Sequence, residues 1–283
     1  FFLFGFWHWC EKHKNNNKSS SKFTVYDVNY HGYMKSLIHG LLYIPRKTKK
    51  PTVIIHIHDY NAPLDIDQNL LYVSCAYFFI TLRGHDLIMK KNNDEEYRSP
   101  GLMIDNIMDK DTYYGKAIYL DTFRSIDMLR LIPDINCSSI GVMGKGLGAA
   151  VAVFLASFSD RVKALLLETP SFCHLPLGQN KSLSDAAIEI NDFLKEKKIK
   201  RKDIKINLTY FDALNFIDKV TCPTRTLIGF KDQIAPPECS FGLFNRMTTE
   251  KIMEIYPDEG NEVGGKKQFQ KSLTWLIKTI ENK

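Results

Sequence analysis

The sequence predicts an α/β fold: a mainly parallel sheet with helices on both faces and an antiparallel hairpin at its N-terminal side. Three observations carry this. Short apolar runs of strand length recur along the chain, and helix-length segments separate several of them. Between residues 139 and 158 a strand-like run passes through a glycine turn straight into a small-residue apolar helix. With 283 residues, 44% of them hydrophobic and 25% charged, the chain is long enough to bury one large core, so a single domain is expected over residues 23–283.

Taken in order, the opening FFLFGFWHWC is apolar but too short to span a bilayer and has no basic leader, so it reads as an aromatic segment docked on the domain. Residues 11–22, rich in Lys, Asn and Ser, read as a polar linker or surface loop. FTVYDVNY (23–30) alternates as a half-buried strand and pairs best with residues 35–44 as the hairpin. Buried-strand composition then recurs at 52–58, 76–82, 139–143, 162–168, 224–230 and 251–256. Residues 119–131 place Leu120, Phe123, Ile126 and Leu129 three apart with Pro133 closing the run, which predicts a helix over one sheet face. Further helices are predicted at 149–158, 182–195, 239–246 and 268–280. In such a fold ligands bind beyond the carboxyl ends of the parallel strands.

The formal charge of +6 is modest, and Lys and Arg are interspersed with Asp and Glu over most of the length, so nucleic acid is not expected as a partner. Neither is a membrane. Six dispersed cysteines without a C-x-x-C pair fit free thiols in a reducing, cytoplasmic compartment.

The turn Gly144-Lys145-Gly146-Leu147-Gly148 admits three chemistries. A phosphate-binding P-loop needs a hydroxyl after its lysine, where this chain has Gly146, so that reading fails. A dinucleotide site would use Gly144, Gly146 and Ala149 with Glu168 as the ribose acid, but its fingerprint belongs in the first strand-to-helix turn and several strands precede this one. The third is the G-x-S-x-G nucleophile elbow of hydrolases, with Gly144 and Gly148 as its glycines and Gly146 where the serine would stand. Lys145 does not inherit the role, because neighbours on a tight turn point in different directions.

Residues 109–144, ETPSFCH (168–174), IEINDFL (188–194), LTYFDALNFIDKVTCPT (208–224) and IGFKDQIAPP (228–237) resemble, in order, segments of the acetyl xylan esterase and cephalosporin C deacetylase family of α/β hydrolases. FGFW near the start, IHDY at 57–60 and Arg83-Gly84 resemble family features too. The resemblance implies the α/β-hydrolase fold, no cofactor, and a homo-oligomer, in that family a hexamer with inward-facing mouths. It puts the triad acid at Asp232 and the histidine at the turn after the last strand, where Asp258 stands. No histidine follows His174, so both the attacking group and its base are missing from the expected order of nucleophile, acid and histidine. Losing either costs several orders of magnitude in rate.

The same resemblance assigns the oxyanion hole to the backbone N–H groups of Tyr60 and Leu147, so a cavity for a carboxylate or acetyl oxygen could persist. Against that, Asp59, Asp232 and Asp258 add negative charge near the mouth, with Lys145 either balancing it or lying solvated at the rim. His56-x-His58-Asp59 is a conceivable metal cluster, but a strand-end pair of this kind is more often structural and no metal is expected. His85 and His174 read as hydrogen-bonded wall residues. The leading expectation is therefore a non-catalytic family member that binds a small acylated or sugar-like ligand or serves as a subunit. The alternative is a carbohydrate or cephalosporin deacetylase with altered chemistry, in which Asp258 or Asp232 activates water and Lys145 stabilises the anion. Nucleotide binding at Gly144–Gly148 is a third reading.

Overall fold

A computed structural model of the chain describes residues 10–62, 67–85 and 101–282. Strands β1 (Cys10–Lys14), β2 (Phe23–His31), β3 (Leu37–Pro45), β4 (Thr52–Ile57), β5 (Cys75–Ile80), β6 (Asn136–Lys145), β7 (Val162–Glu168), β8 (Thr224–Gly229) and β9 (Lys251–Tyr256) build one sheet. Its order is β1-β2-β3-β5-β4-β6-β7-β8-β9. The pairs β1/β2, β2/β3 and β3/β5 are antiparallel, and every other pair is parallel. This is the predicted mixed sheet with its N-terminal hairpin, widened by one strand.

The extra strand corrects the linker reading at its start. Cys10–Lys14 pairs along its full length with Tyr26–Tyr30, and Lys12 lies over the Tyr26 ring at 4.3 Å while bonding Asp134 at 2.9 Å. A charged composition masked it, because an edge strand needs only one face in contact and gains protection from its lysines. The aromatic opening, including FGFW, lies outside the described residues.

Helices α1 (Tyr114–Arg130), α2 (Leu147–Phe158), α3 (Leu175–Lys181), α4 (Asp185–Glu196), α5 (Arg201–Thr209), α6 (Pro237–Arg246) and α7 (Gly265–Glu281) complete the described fold. The expected helices are all present with ends shifted by a few residues, while α3 and α5 were not foreseen. The strands' alternation sorts their side chains between two layers. Val53, Ile55 and Ile57 of β4 join one core with Ile118, Leu129, Val151 and Leu155 of α1 and α2. Ile54 joins a second core with Leu273, Leu276, Ile277 and Ile280 of α7. Burying both faces explains why the central strands are continuous apolar runs rather than alternating ones.

One buried ion pair ties the antiparallel edge to the parallel centre. Asp121 of α1, 2% exposed, accepts from Arg83 Nε and Nη2, both at 2.8 Å, and from the Tyr33 N–H at 2.6 Å. Burial raises the Asp121 pKa, and Arg83 works against that rise. Removing the guanidinium would strand the carboxylate. Arg83→Met is expected to destabilise the fold by about 3 kcal/mol in urea melts, and a loss well under 1 kcal/mol would mean that Asp121 draws its stability from other donors.

Candidate functional site

The site forms where β4, β6 and β8 end. The glycine turn between β6 and α2 is held by close backbone approach: a Cβ on Gly148 would lie 2.3 Å from the Ile57 carbonyl oxygen at the end of β4. Gly146 adopts φ +54° and ψ −120°, a left-handed strand-to-helix corner. Its N–H donates to the Glu168 carbonyl at 3.1 Å, and its carbonyl accepts from Ser171 at 3.1 Å. This is the strained geometry of a nucleophile elbow with no side chain at its apex.

Asp59 fills the space above that apex. Its Oδ1 accepts from the Tyr60 N–H and the Leu147 N–H, each at 2.8 Å. Leu147 opens α2, so the carboxylate also sits at the positive end of a helix. A Cβ built on Gly146 would lie 2.0 Å from Asp59 Cγ and from Oδ1. The two N–H groups expected to form an oxyanion hole are thus already engaged by the protein's own carboxylate, and the expected room for an acyl oxygen is taken. Burial raises the Asp59 pKa from 3.8 to about 6, although the two N–H bonds and Lys145 pull the other way.

Asp232 lies on the loop after β8 and has fixed partners. Its Oδ1 accepts from the Ile234 and Ala235 N–H groups at 2.8 and 2.9 Å, and its Oδ2 accepts from Asn261 Nδ2 at 3.0 Å. Asn261 Nδ2 also donates to Thr169 Oγ1 at 3.1 Å. The side chain facing the acid from the β9–α7 turn is therefore Asn261, not Asp258. Asp258 is 91% exposed and pairs with Lys231 at 3.0 Å on the surface. The difference is one of register: the turn after Tyr256 needs Asp258 only to reach solvent and carries the chain inward three residues later.

Lys145 is neither free nor aimed at a reacting centre. Its Nζ pairs with Glu168 at 3.0 Å and donates to the Asn261 carbonyl at 3.2 Å. Burial works to lower the Lys145 pKa, yet the Glu168 carboxylate beside it holds it above its ordinary value. The same pair occupies Glu168, the acid a dinucleotide site would need, and Asp59 stands at the helix N-terminus where a pyrophosphate would sit.

The histidines are placed as structural groups. His58 Nδ1 donates to the Asp59 carbonyl at 2.6 Å and Nε2 accepts from the Leu82 N–H at 3.0 Å, which fixes the neutral tautomer. Its ring packs on His85 at 5.2 Å, while the His56 ring packs on Phe79 at 5.3 Å. Burial pushes His56 down to about 3, His58 to about 4 and His85 to about 3. Among the described residues no group of His, Cys, Asp and Glu could hold a metal ion. Tyr60, which the sequence singled out for its N–H, also uses its hydroxyl, donating to Glu189 Oε2 at 2.7 Å, and Met103 N–H meets the same oxygen at 3.2 Å. Asn261 and Glu189 were missed. Neither residue carries a motif, and only the fold brings them here. A cleft of about 370 Å³ opens beside Asp59, bordered by His56, Lys145, Glu168, Lys266 and Phe269.

A family model for acetyl xylan esterases matches residues 10–279. An acetyl esterase of Xylanibacter ruminicola is 24% identical over 257 residues, covering 86% of this chain, and the chain spans 56% of that relative's length. Among solved structures, an acetyl xylan esterase from Paenibacillus sp. R4 superposes with a TM-score of 0.84 at 24% identity, over 96% of this chain and 88% of the other. Acetyl xylan esterase 1 from Thermoanaerobacterium sp. JW/SL YS485 gives 0.77 at 22% identity, over 93% and 87%. An acylaminoacyl peptidase of Pyrococcus horikoshii gives 0.69 at 15% identity, over 93% and 43%. These similarities bear out the expected α/β-hydrolase fold. No described helix is long and apolar enough to cross a membrane.

The raised Asp59 pKa sets a stability window. The fold holds the proton more tightly than the unfolded chain does, so this contribution is complete below about pH 4 and is lost as pH rises through about 6. Asp59→Asn carries no charge at any pH. Its stability relative to the parent chain is expected to improve between those limits by about 1–2 kcal/mol, less than the full shift implies because the carboxylate borders the cleft. Urea melts across that range would check it, and a flat difference would contradict the burial of Asp59.

Proposed function

Because the chain belongs to the acetyl xylan esterase family, we propose that it is a non-catalytic member whose former catalytic centre is closed by its own Asp59. The observation that carries this is the collision between positions 59 and 146. Asp59 Cγ lies 2.0 Å from where a Cβ on residue 146 would be, so a serine nucleophile there requires this carboxylate to leave its place. An acyl oxygen and Asp59 Oδ1 compete in the same way for the Tyr60 and Leu147 N–H groups. Asp232 keeps its place, but its partner is an amide that cannot shuttle a proton.

The role left to such a protein is that of a ligand-binding or subunit protein. A small acylated or sugar-like ligand would enter the cleft beside Asp59 rather than the oxyanion hole. Assembly as a homo-oligomer, of the hexameric kind the resemblance implies, and a cytoplasmic location belong to the same proposal. A deacetylase with altered chemistry is less well supported, since Asp258 faces solvent, both Asp232 oxygens are engaged and Lys145 is paired with Glu168.

Hydrolysis of p-nitrophenyl acetate tests the reading. The chain is expected to show no saturable turnover, and so is Gly146→Ser with Asp258→His, because Asp59 still blocks the apex. Asp59→Gly, Gly146→Ser and Asn261→His together are expected to raise hydrolysis at least about a hundredfold. Turnover by the unmodified chain comparable to a working esterase would overturn the proposal.

A further inference from the structure

The charge of the chain is not spread evenly. Residues 195–205, KEKKIKRKDIK, hold seven cations and two acids, so +5 of the formal +6 falls on eleven residues joining α4 to α5. Lys195, Lys197, Lys198, Lys200, Arg201, Lys202 and Lys205 are all exposed. None of the seven forms an ion pair with a described residue. Helix α5 gains nothing from the cations at its start. Arg201 and Lys202 stand in the first turn of α5, at the positive end of its dipole, with only Asp203 to compensate.

The outward face of α5 is also apolar where it should be polar. Ile204 and Leu208 point into the core, while Ile206 on the opposite side is 70% exposed and Tyr210 just beyond is 55% exposed. Met108, 49% exposed, is held beside them because its carbonyl accepts from Asn207 Nδ2 at 2.6 Å. Lys110 lies 5.7 Å from the Tyr210 ring. The apolar tip thus follows the basic run along α5, with Lys110, itself paired with Asp111 at 2.8 Å, on its far side.

We infer that this ridge docks the protein on the surface of an anionic phospholipid bilayer, with Ile206 and Tyr210 entering the interface and the surrounding lysines meeting the headgroups. The charge complementarity is of the diffuse, lysine-dominated kind that suits a fluid layer of anionic headgroups. A nucleic-acid site would be expected to show more forked guanidinium groups and more stacking rings, and the ridge has one arginine and one exposed aromatic. Surface docking needs no spanning helix, so it does not conflict with the lack of one among the described residues. The total charge hides the ridge because acids elsewhere cancel the remaining cations.

Co-sedimentation of the full chain with phosphatidylcholine vesicles, with and without phosphatidylserine, tests this. Binding is expected only to the anionic vesicles and is expected to weaken with salt. Replacing Lys197, Lys198, Lys202 and Lys205 by Gln is expected to weaken it at least about tenfold, and Ile206→Ser about threefold, with circular dichroism unchanged. Replacing Lys47, Lys49 and Lys50, an exposed basic run elsewhere on the surface, by Gln serves as the control and is expected to have much less effect. The inference is overturned if anionic vesicles are not bound, if both lysine sets matter equally, or if Ile206→Ser has no effect while a single-stranded oligonucleotide or heparin binds at the ridge.

Discussion

A carboxylate drawn away from water must find hydrogen-bond donors, and Asp59 finds two backbone N–H groups that no side chain had claimed. The surrounding geometry follows from that contact. The end of β4 is pinned to the start of α2, a side chain on Gly146 would displace the carboxylate, and His58, whose Nδ1 holds the Asp59 carbonyl, is locked in a neutral tautomer. Two donors of the kind that could stabilise a developing charge here bond a fixed carboxylate.

The other polar groups at the strand ends are engaged around this contact. Asp232 bonds two N–H groups of its own loop and the Asn261 amide, an arrangement that serves local structure as well as it would serve a catalyst. Lys145 and Glu168 neutralise each other at the cleft wall. Asp59, Asp232, Asn261, Lys145 and Glu168 thus each have a partner within the chain.

The parts legible in the sequence were those governed by local composition. Central strands buried on both faces must be apolar runs, so β4 to β8 stood out. The elbow was visible because only glycines tolerate the approach of Gly148 to the Ile57 carbonyl. The charged edge strand β1 and the lysine-rich α5 were illegible, since both bury little and advertise only polarity. In the site, Gly146, Asp232, Tyr60 and Leu147 were singled out, and Asp59 was seen as a nearby negative charge. What sequence could not provide was the hydrogen-bond partner of that charge. The choice of Asn261 over Asp258 escaped for a related reason: a turn hides which of its residues faces inward until the chain direction after β9 is known. The uneven charge was present in the string of residues, yet the whole-chain balance concealed it.

The most direct test of the account is a pH titration of the backbone amide resonances of Tyr60 and Leu147 by ¹H–¹⁵N NMR. If Asp59 is their acceptor, both signals move together with a midpoint near 6, and added acetate leaves them unchanged. Signals that ignore this range but shift on adding acetate would mean that the two donors are open to ligand and that Asp59 lies elsewhere.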